Sequence, residues 1–228
     1  MREVADGVFQ LKGFPKNAIN VYLASGVLFD AATRQGERRV MRQLRGRTVT
    51  EHVLTHAHAD HQGASHRVCT ELGIPLAVGE ADVPAMEGGP EYISSLQHPG
   101  LVNRMQKRFW TGPGHPVDRV LRDGDEVGGF AVLDVPGHSV GHVAYWRERD
   151  RVLILGDVVN TMSLLTTRPG IQEPPKVFTP DPVANRRSIR RLAALEPRVV
   201  LAGHGPPVSD PGALPAFAAT LPPDSGVR

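Results

Sequence analysis

Apolar and polar positions alternate in short runs along the first half of the chain. Val8 to Lys12, Ile19 to Ala24 and Val27 to Asp30 are strand-length segments divided by Gly, Pro and Asn, the residues that punctuate turns. Gly36 to Arg45 has the look of an exposed basic helix. His52-Val53-Leu54-Thr55 predicts a buried strand. Gln62 to Leu72 suits a helix closed by Gly73, and Pro75-Leu76-Ala77-Val78 is the next strand. This strand–helix–strand unit points to a mixed α/β architecture.

Glu80 to Pro116 breaks the pattern. It is rich in Gly and Pro and reads as an insert framing a substrate pocket, with a helical stretch around Val102 to Phe109. Tyr92, Phe109 and Trp110 either wall that pocket or anchor the loop. From Val117 short strands return: Ala131 to Val135, His142 to Trp146 and Val152 to Leu155. Asn160 to Asp181 has few helix signals and reads as a long lid loop. Pro182 to Leu195 is a helix with Ile189, Leu192 and Leu195 on one face; its arginines, Arg186, Arg187, Arg190 and Arg191, form the solvated face. Arg198 to Ala202 is the last strand, and the Pro- and Ala-rich tail from Pro206 packs on the surface.

Bulk composition narrows the classes. The chain has 228 residues, 40% apolar and 22% charged, and no linker divides it, so residues 1–228 read as one domain. A net charge of +2 gives no field for nucleic acid or an anionic membrane. Cys69 is the single cysteine, which excludes an intramolecular disulfide and a thiolate metal cluster; it reads as a small buried helix residue. The N-terminus lacks a signal-peptide apolar run, and Val152 to Leu155, the longest apolar stretch, is too short to span a bilayer. Cytoplasmic residence and a small-molecule substrate are therefore expected.

The ten histidines change the picture. In Thr55-His56-Ala57-His58-Ala59-Asp60-His61, alternate residues of an extended segment point the same way, so His56 and His58 reach one metal together. Asp60 and His61 follow as the chain turns into a helix. Four such side chains near a strand end are costly to bury unless something compensates them, and metal coordination does. His138, Asp157 and His204 each follow a strand-like run and a glycine, which lets the chain turn sharply and project the next side chain into a cleft.

The pattern His56-x-His58-x-Asp60-His61, then His138, Asp157 and His204, resembles the metallo-β-lactamase-fold hydrolases, in their glyoxalase II-like dinuclear branch. The resemblance covers nearly the whole chain. It implies a four-layer αββα sandwich of two mixed sheets flanked by helices, with the site along one edge. It also implies that His56, His58 and His138 hold one divalent metal, that Asp60, His61 and His204 hold a second, and that Asp157 bridges them. Zinc suits this N/O donor set best, and iron or manganese also bind it. Two such cations lower the pKa of a shared water from ~15.7 toward ~7 and polarise a carbonyl. Asp60 would accept a proton or hold the nucleophile in place.

The expected reaction is cleavage of a small thioester, ester or lactone, with hydroxyacyl thioester hydrolysis first. Asp157 argues against β-lactam hydrolysis, because true β-lactamases of this fold generally lack the bridging aspartate. Only 24 residues follow His204, so the helical extension with which glyoxalase II binds glutathione is not expected. Quorum-signal lactonases place a tyrosine between the bridging aspartate and the last histidine; Tyr22, Tyr92 and Tyr145 all precede Asp157. No arm for tRNA, as in RNase Z-like phosphodiesterases, is evident, and flavodiiron reductases carry glutamate where His58 stands. The alternative class is a mononuclear iron persulfide dioxygenase using His56, His138 and Asp157. Among the other histidines, His52 and His142 read as strand residues, His66 as solvated on its helix, and His98 and His115 as loop residues.

Overall fold

The computed structural model describes residues 1–95 and 100–223, so His98 lies outside the described residues. Strands β1 (Arg2–Ala5), β2 (Val8–Gln10), β3 (Tyr22–Ala24), β4 (Val27–Phe29), β5 (Glu51–Val53), β6 (Leu76–Gly79) and β7 (Arg119–Leu121) form one sheet in chain order. β1 to β4 are antiparallel; β4 to β7 are parallel. The β3–β4 turn is Ser25-Gly26, with φ of 51° and 79°. Two positive φ values make the hairpin turn whose twist matches that of the strands, and glycine takes its second position without strain.

Each parallel step needs a crossover, and helices supply it. α1 (Glu37–Leu44) joins β4 to β5. α2 (Ala59–Gln62) and α3 (Ser65–Leu72) join β5 to β6. α4 (Val83–Ser95) and α5 (Leu101–Met105), followed by a wide turn over Gln106–Trp110, lie between β6 and β7. Gly73 closes α3 with φ of 65°, its N–H donating to the Cys69 carbonyl at 2.8 Å.

The second sheet contains β8 (Glu126–Val127), β9 (Phe130–Asp134), β10 (Val143–Arg147) and β11 (Val152–Gly156). After a hairpin of β12 (Asn160–Met162) and β13 (Pro169–Gln172) and helix α6 (Pro182–Ala193), β14 (Val199–Ala202) completes it. Its order is β14-β11-β10-β9-β8. Pro182 opens α6 at a position needing no N–H, and the Asp181 carboxylate accepts from the Val183 and Ala184 N–H groups. Helix α7 (Ala213–Thr220) packs Leu214 and Ala218 with Ile189 and Leu192 of α6.

Strand alternation decides the layers. Tyr22, Phe29, Val53, Val132, Tyr145, Ile154 and Leu201 meet between the sheets. Their chain neighbours face outward: Leu23 and Leu28 pack with Val40 and Leu44 of α1, while Leu153, Leu155 and Val200 pack with α6 and α7. The result is the expected αββα sandwich. Phe29 lies edge-on to Phe130 and Tyr145 at ring separations of 5.3 and 4.9 Å, and each such contact adds about 0.5–1.5 kcal/mol to its area burial.

Three expectations need correction. Residues 83–95 of the insert are helical: Gly88-Gly89-Pro90 reads as a loop, but the chain resumes the helix after a break at Gly89, whose φ is 62° and ψ −145°. The lid region 160–181 is not all loop, since the β12–β13 hairpin occupies part of it. The tail contributes a helix, α7, whose small residues let it lie close against α6. No helix among the described residues is long and apolar enough to cross a membrane.

Candidate metal centre

The sheets present their strand ends along one edge. Three backbone bonds sew that edge together: Val143 N–H to the Thr55 carbonyl at 2.9 Å, Gly203 N–H to Gly156 at 2.7 Å and Asn20 N–H to Gly203 at 2.8 Å. Two buried phenols add cross-links, Tyr22 to the Ala202 carbonyl at 2.8 Å and Tyr145 to Leu54 at 2.5 Å.

All seven sequence-predicted residues converge here. His58 is extended (φ −70°, ψ 157°) and caps α2, which carries Asp60 and His61 in its single turn. His138 enters from the loop between β9 and β10, Asp157 directly follows β11, and His204 lies two residues beyond β14. Donor atoms of His56, His58 and His138 lie within 4.8 Å of one another; so do those of Asp60, His61 and His204, and those of His56, His61 and Asp157. His138 Nε2 is 3.0 Å from His58 Nδ1. The Asp157 carboxylate reaches both sides, with Oδ2 3.0 Å from His204 Nε2 and 3.6 Å from His138 Nε2, and Oδ1 3.5 Å from His61 Nε2.

The donor set fits divalent cations. His56 Nε2, His61 Nε2 and Asp157 Oδ1 are buried without a hydrogen-bond partner among the described residues. Each such orphan costs about 1–3 kcal/mol, and a cation among them removes that cost. The electrostatics divide the cluster in two. Burial, reinforced by neighbouring imidazoles, pushes His56 and His138 well below the ordinary histidine pKa, which favours their neutral, electron-donating form. Burial also opposes charge on His61 and His204, but Asp157 and its fellow carboxylates outweigh it. His61 is held well above its ordinary value and His204 is raised to about 10. A pocket that draws protons onto two buried imidazoles is one that stabilises positive charge.

A further layer of residues holds the ligands, and the sequence reading missed it. His61 Nδ1 donates to Asp30 Oδ2 at 2.9 Å. Asp30 also accepts from the Thr55 N–H at 2.8 Å and from its hydroxyl, and that hydroxyl lies 3.1 Å from His56 Nδ1. His138 Nδ1 contacts Thr179 Oγ1 at 3.2 Å, and His204 Nδ1 donates to the Ala18 carbonyl. Asp82 ties two ligand loops together: it accepts from the Ala57 N–H at 2.9 Å, the Gly141 N–H at 3.0 Å and the Ser139 hydroxyl. Asp30 carried a usable signal, a carboxylate at the end of an apolar strand. Asp82, in Glu80-Ala81-Asp82, carried none.

The remaining histidines sort by contact. His142 is buried and stacks on His56 at 4.5 Å. His52 is packed away from the cluster, bonded to the Leu28 carbonyl and the Ser65 hydroxyl at 3.0 and 2.8 Å. His66 is not simply solvated: it is half-buried, and its Nδ1 lies 3.1 Å from His115 Nδ1, because α3 packs beneath the end of the insert. Cys69 is buried, which pushes its thiol up to about 12.

A cavity of about 480 Å³ opens over the cluster. The insert contributes Val102, Gln106 and Trp110; the lid contributes Asn160, Leu164, Pro175 and Phe178. Phe14, Pro15, Ala18, Ile19, Thr33 and Gln35, which sequence reading left out, complete the wall. Trp110 thus walls the pocket, whereas Tyr92 and Phe109 are not among its described lining residues.

The family model of the metallo-beta-lactamase superfamily matches residues 15–204, from the cavity's Pro15 to the last ligand-type histidine. The chain belongs to that superfamily. It is a metal-dependent hydrolase of the metallo-β-lactamase fold. It is 30% identical to "Probable metallo-hydrolase YflN" of Bacillus subtilis (strain 168), over 91% of this chain and 87% of that protein. A hydroxyacylglutathione hydrolase of Methylobacterium sp. (strain 4-46) is 27% identical, but over 70% of this chain and only 49% of its own length. The crystal structure of TTHA1623 in a di-iron-bound form superposes with a TM-score of 0.66 at 27% identity, covering 94% of this chain and 93% of that one.

Proposed function

We propose that this metallo-β-lactamase-fold hydrolase uses a dinuclear centre to cleave a small thioester, ester or lactone, with hydroxyacyl thioesters the leading class. One observation carries the reading: two complete triads of donors, His56/His58/His138 and Asp60/His61/His204, flank Asp157, and His58, Asp60, His138, Asp157 and His204 line one cavity. A mononuclear dioxygenase needs only His56, His138 and Asp157, and would leave His58, Asp60, His61 and His204 without a task. The hydroxyacylglutathione hydrolase relatives support the thioester class.

His56, His58 and His138 would hold one ion, Asp60, His61 and His204 the other, and Asp157 both. When bound, such a pair supplies hydroxide at neutral pH and polarises the scissile carbonyl. The protein's own part is positioning. Burial raises the Asp60 pKa, but His61 and His204 outweigh it and keep the carboxyl below its ordinary range. Asp60 is therefore an ionised acceptor at the cavity floor, set to orient the attacking water. The apolar wall excludes bulk water, which strengthens every charge interaction inside. Zinc is the proposed occupant; iron is the competitor, because TTHA1623 holds two irons.

Purified protein should carry about two zinc per chain, as an N/O donor set of this kind favours, and should turn over an ester and thioester panel. One iron per chain with oxygen uptake on a persulfide would overturn the reading.

A further inference from the structure

The cavity's wall is almost free of charge. Among its described lining residues the only carboxylates are Asp60 and Asp157, and there is no lysine or arginine. Its apolar side chains extend outward: Phe14 is 81% exposed, Val102 53% and Leu164 41%. Exposed apolar groups gathered at the mouth of a cavity are a surface waiting for an apolar ligand. Two neutral amides complete the wall. Gln106 is 8% exposed and Asn160 1%, and Gln106 Oε1 and Asn160 Oδ1 are buried without a hydrogen-bond partner among the described residues. An amide oxygen accepts, so its complement is an N–H or O–H donor.

We infer that the substrate is an uncharged acyl compound with an apolar tail, and that Gln106 and Asn160 are specificity-determining residues accepting from an O–H or N–H beside its scissile carbonyl. This rests on the hydrolase reading above and names the substrate class of that same site. The apolar tail runs over Phe14, Val102 and Leu164. A glutathionyl group is poorly matched, because its two carboxylates would meet no lysine or arginine among the described lining residues, and an unpaired charge is costly to bury. Lys12 and Arg39 line a neighbouring cavity of about 210 Å³ that shares Phe14, Ile19, Thr33 and Gln35 with this one. The Arg39 guanidinium lies 5.9 Å above the Phe14 ring. Arg39 is not among the described lining residues of the catalytic cavity.

The test uses matched thioesters on the metal-loaded enzyme. S-octanoyl-N-acetylcysteamine and S-octanoylglutathione share an acyl group and differ in the charge of the leaving thiol. The neutral compound should have a kcat/KM at least about tenfold higher, and Arg39→Ala should leave that ratio unchanged. Adding a 3-hydroxyl to the neutral acyl chain should raise kcat/KM about tenfold, the worth of satisfying a buried acceptor. Gln106→Leu and Asn160→Leu should each erode the ratio of kcat/KM between the hydroxylated and the unsubstituted compound, chiefly through KM, with circular dichroism and metal content as controls for folding. Equal or better turnover of the glutathione thioester, or a hydroxyl preference that survives both substitutions, overturns the inference while the hydrolase reading stands. Absence of turnover on every ester and thioester overturns both.

Discussion

His61 Nδ1 donates to Asp30 Oδ2 at 2.9 Å, a contact that joins residues 31 positions apart and buries both side chains. Because a carboxylate only accepts, this bond fixes the proton on Nδ1 and turns Nε2 toward Asp157. Asp30→Ala should leave the fold intact but weaken the ion proposed at Asp60, His61 and His204 by about 10- to 100-fold, the usual effect of removing such a support. Competition with a chromogenic chelator measures it. Unchanged affinity would show that Asp30 serves only the strand end.

Asp60→Ala should abolish turnover and leave about one ion per chain, since three donors still hold the other position. Elemental analysis and ester hydrolysis on the same sample decide the matter. Full activity with two ions retained would remove Asp60 from the centre.

Gly203 is a steric necessity. A Cβ there would stand 2.1 Å from Asp157 Oδ1 and 2.6 Å from His61 Cε1. Gly203→Ala must therefore push apart the Asp157 carboxylate and the His61 imidazole at once. It should lower metal content and kcat while circular dichroism stays native; a fully loaded, active G203A protein would contradict the geometry.

His52 gives the fold an acid weakness away from the metals. Burial pushes its pKa down to about 4, while the Leu28 carbonyl and Asp30 pull weakly the other way. Its unfolded value is about 6.5, so between these limits the unfolded chain binds more protons than the folded one, and stability falls as pH falls. From pH 7 to pH 5 this group alone should cost about 2 kcal/mol. Urea unfolding at the two pH values should show a smaller drop in His52→Gln than in the parent protein, and an identical drop would count against it.

Much of this was legible in the chain itself. The αββα layering follows from strands such as Tyr22-Leu23-Ala24 and Leu153-Ile154-Leu155, whose alternate residues are apolar on both faces and so need cover on both. Helix 83–95 was hidden because Gly88-Gly89-Pro90 carries the local signal of a loop, and only packing of Ala85, Met86 and Ile93 beneath the insert overrides it. The β12–β13 hairpin was hidden in the same way by prolines.

The sequence by itself singled out the seven side chains proposed to bind metal and their order, because ligand type, spacing and the preceding glycines are local properties. Tertiary structure alone decided what holds them. Asp30 reaches His61 across 31 positions and Asp82 reaches Ser139 across 57, and no local pattern encodes such contacts. It also decided the wall of the cavity, which lacks lysine and arginine among its described residues, since Phe14, Gln106 and Asn160 come from three separate segments and become neighbours only when the strand ends are drawn to one edge.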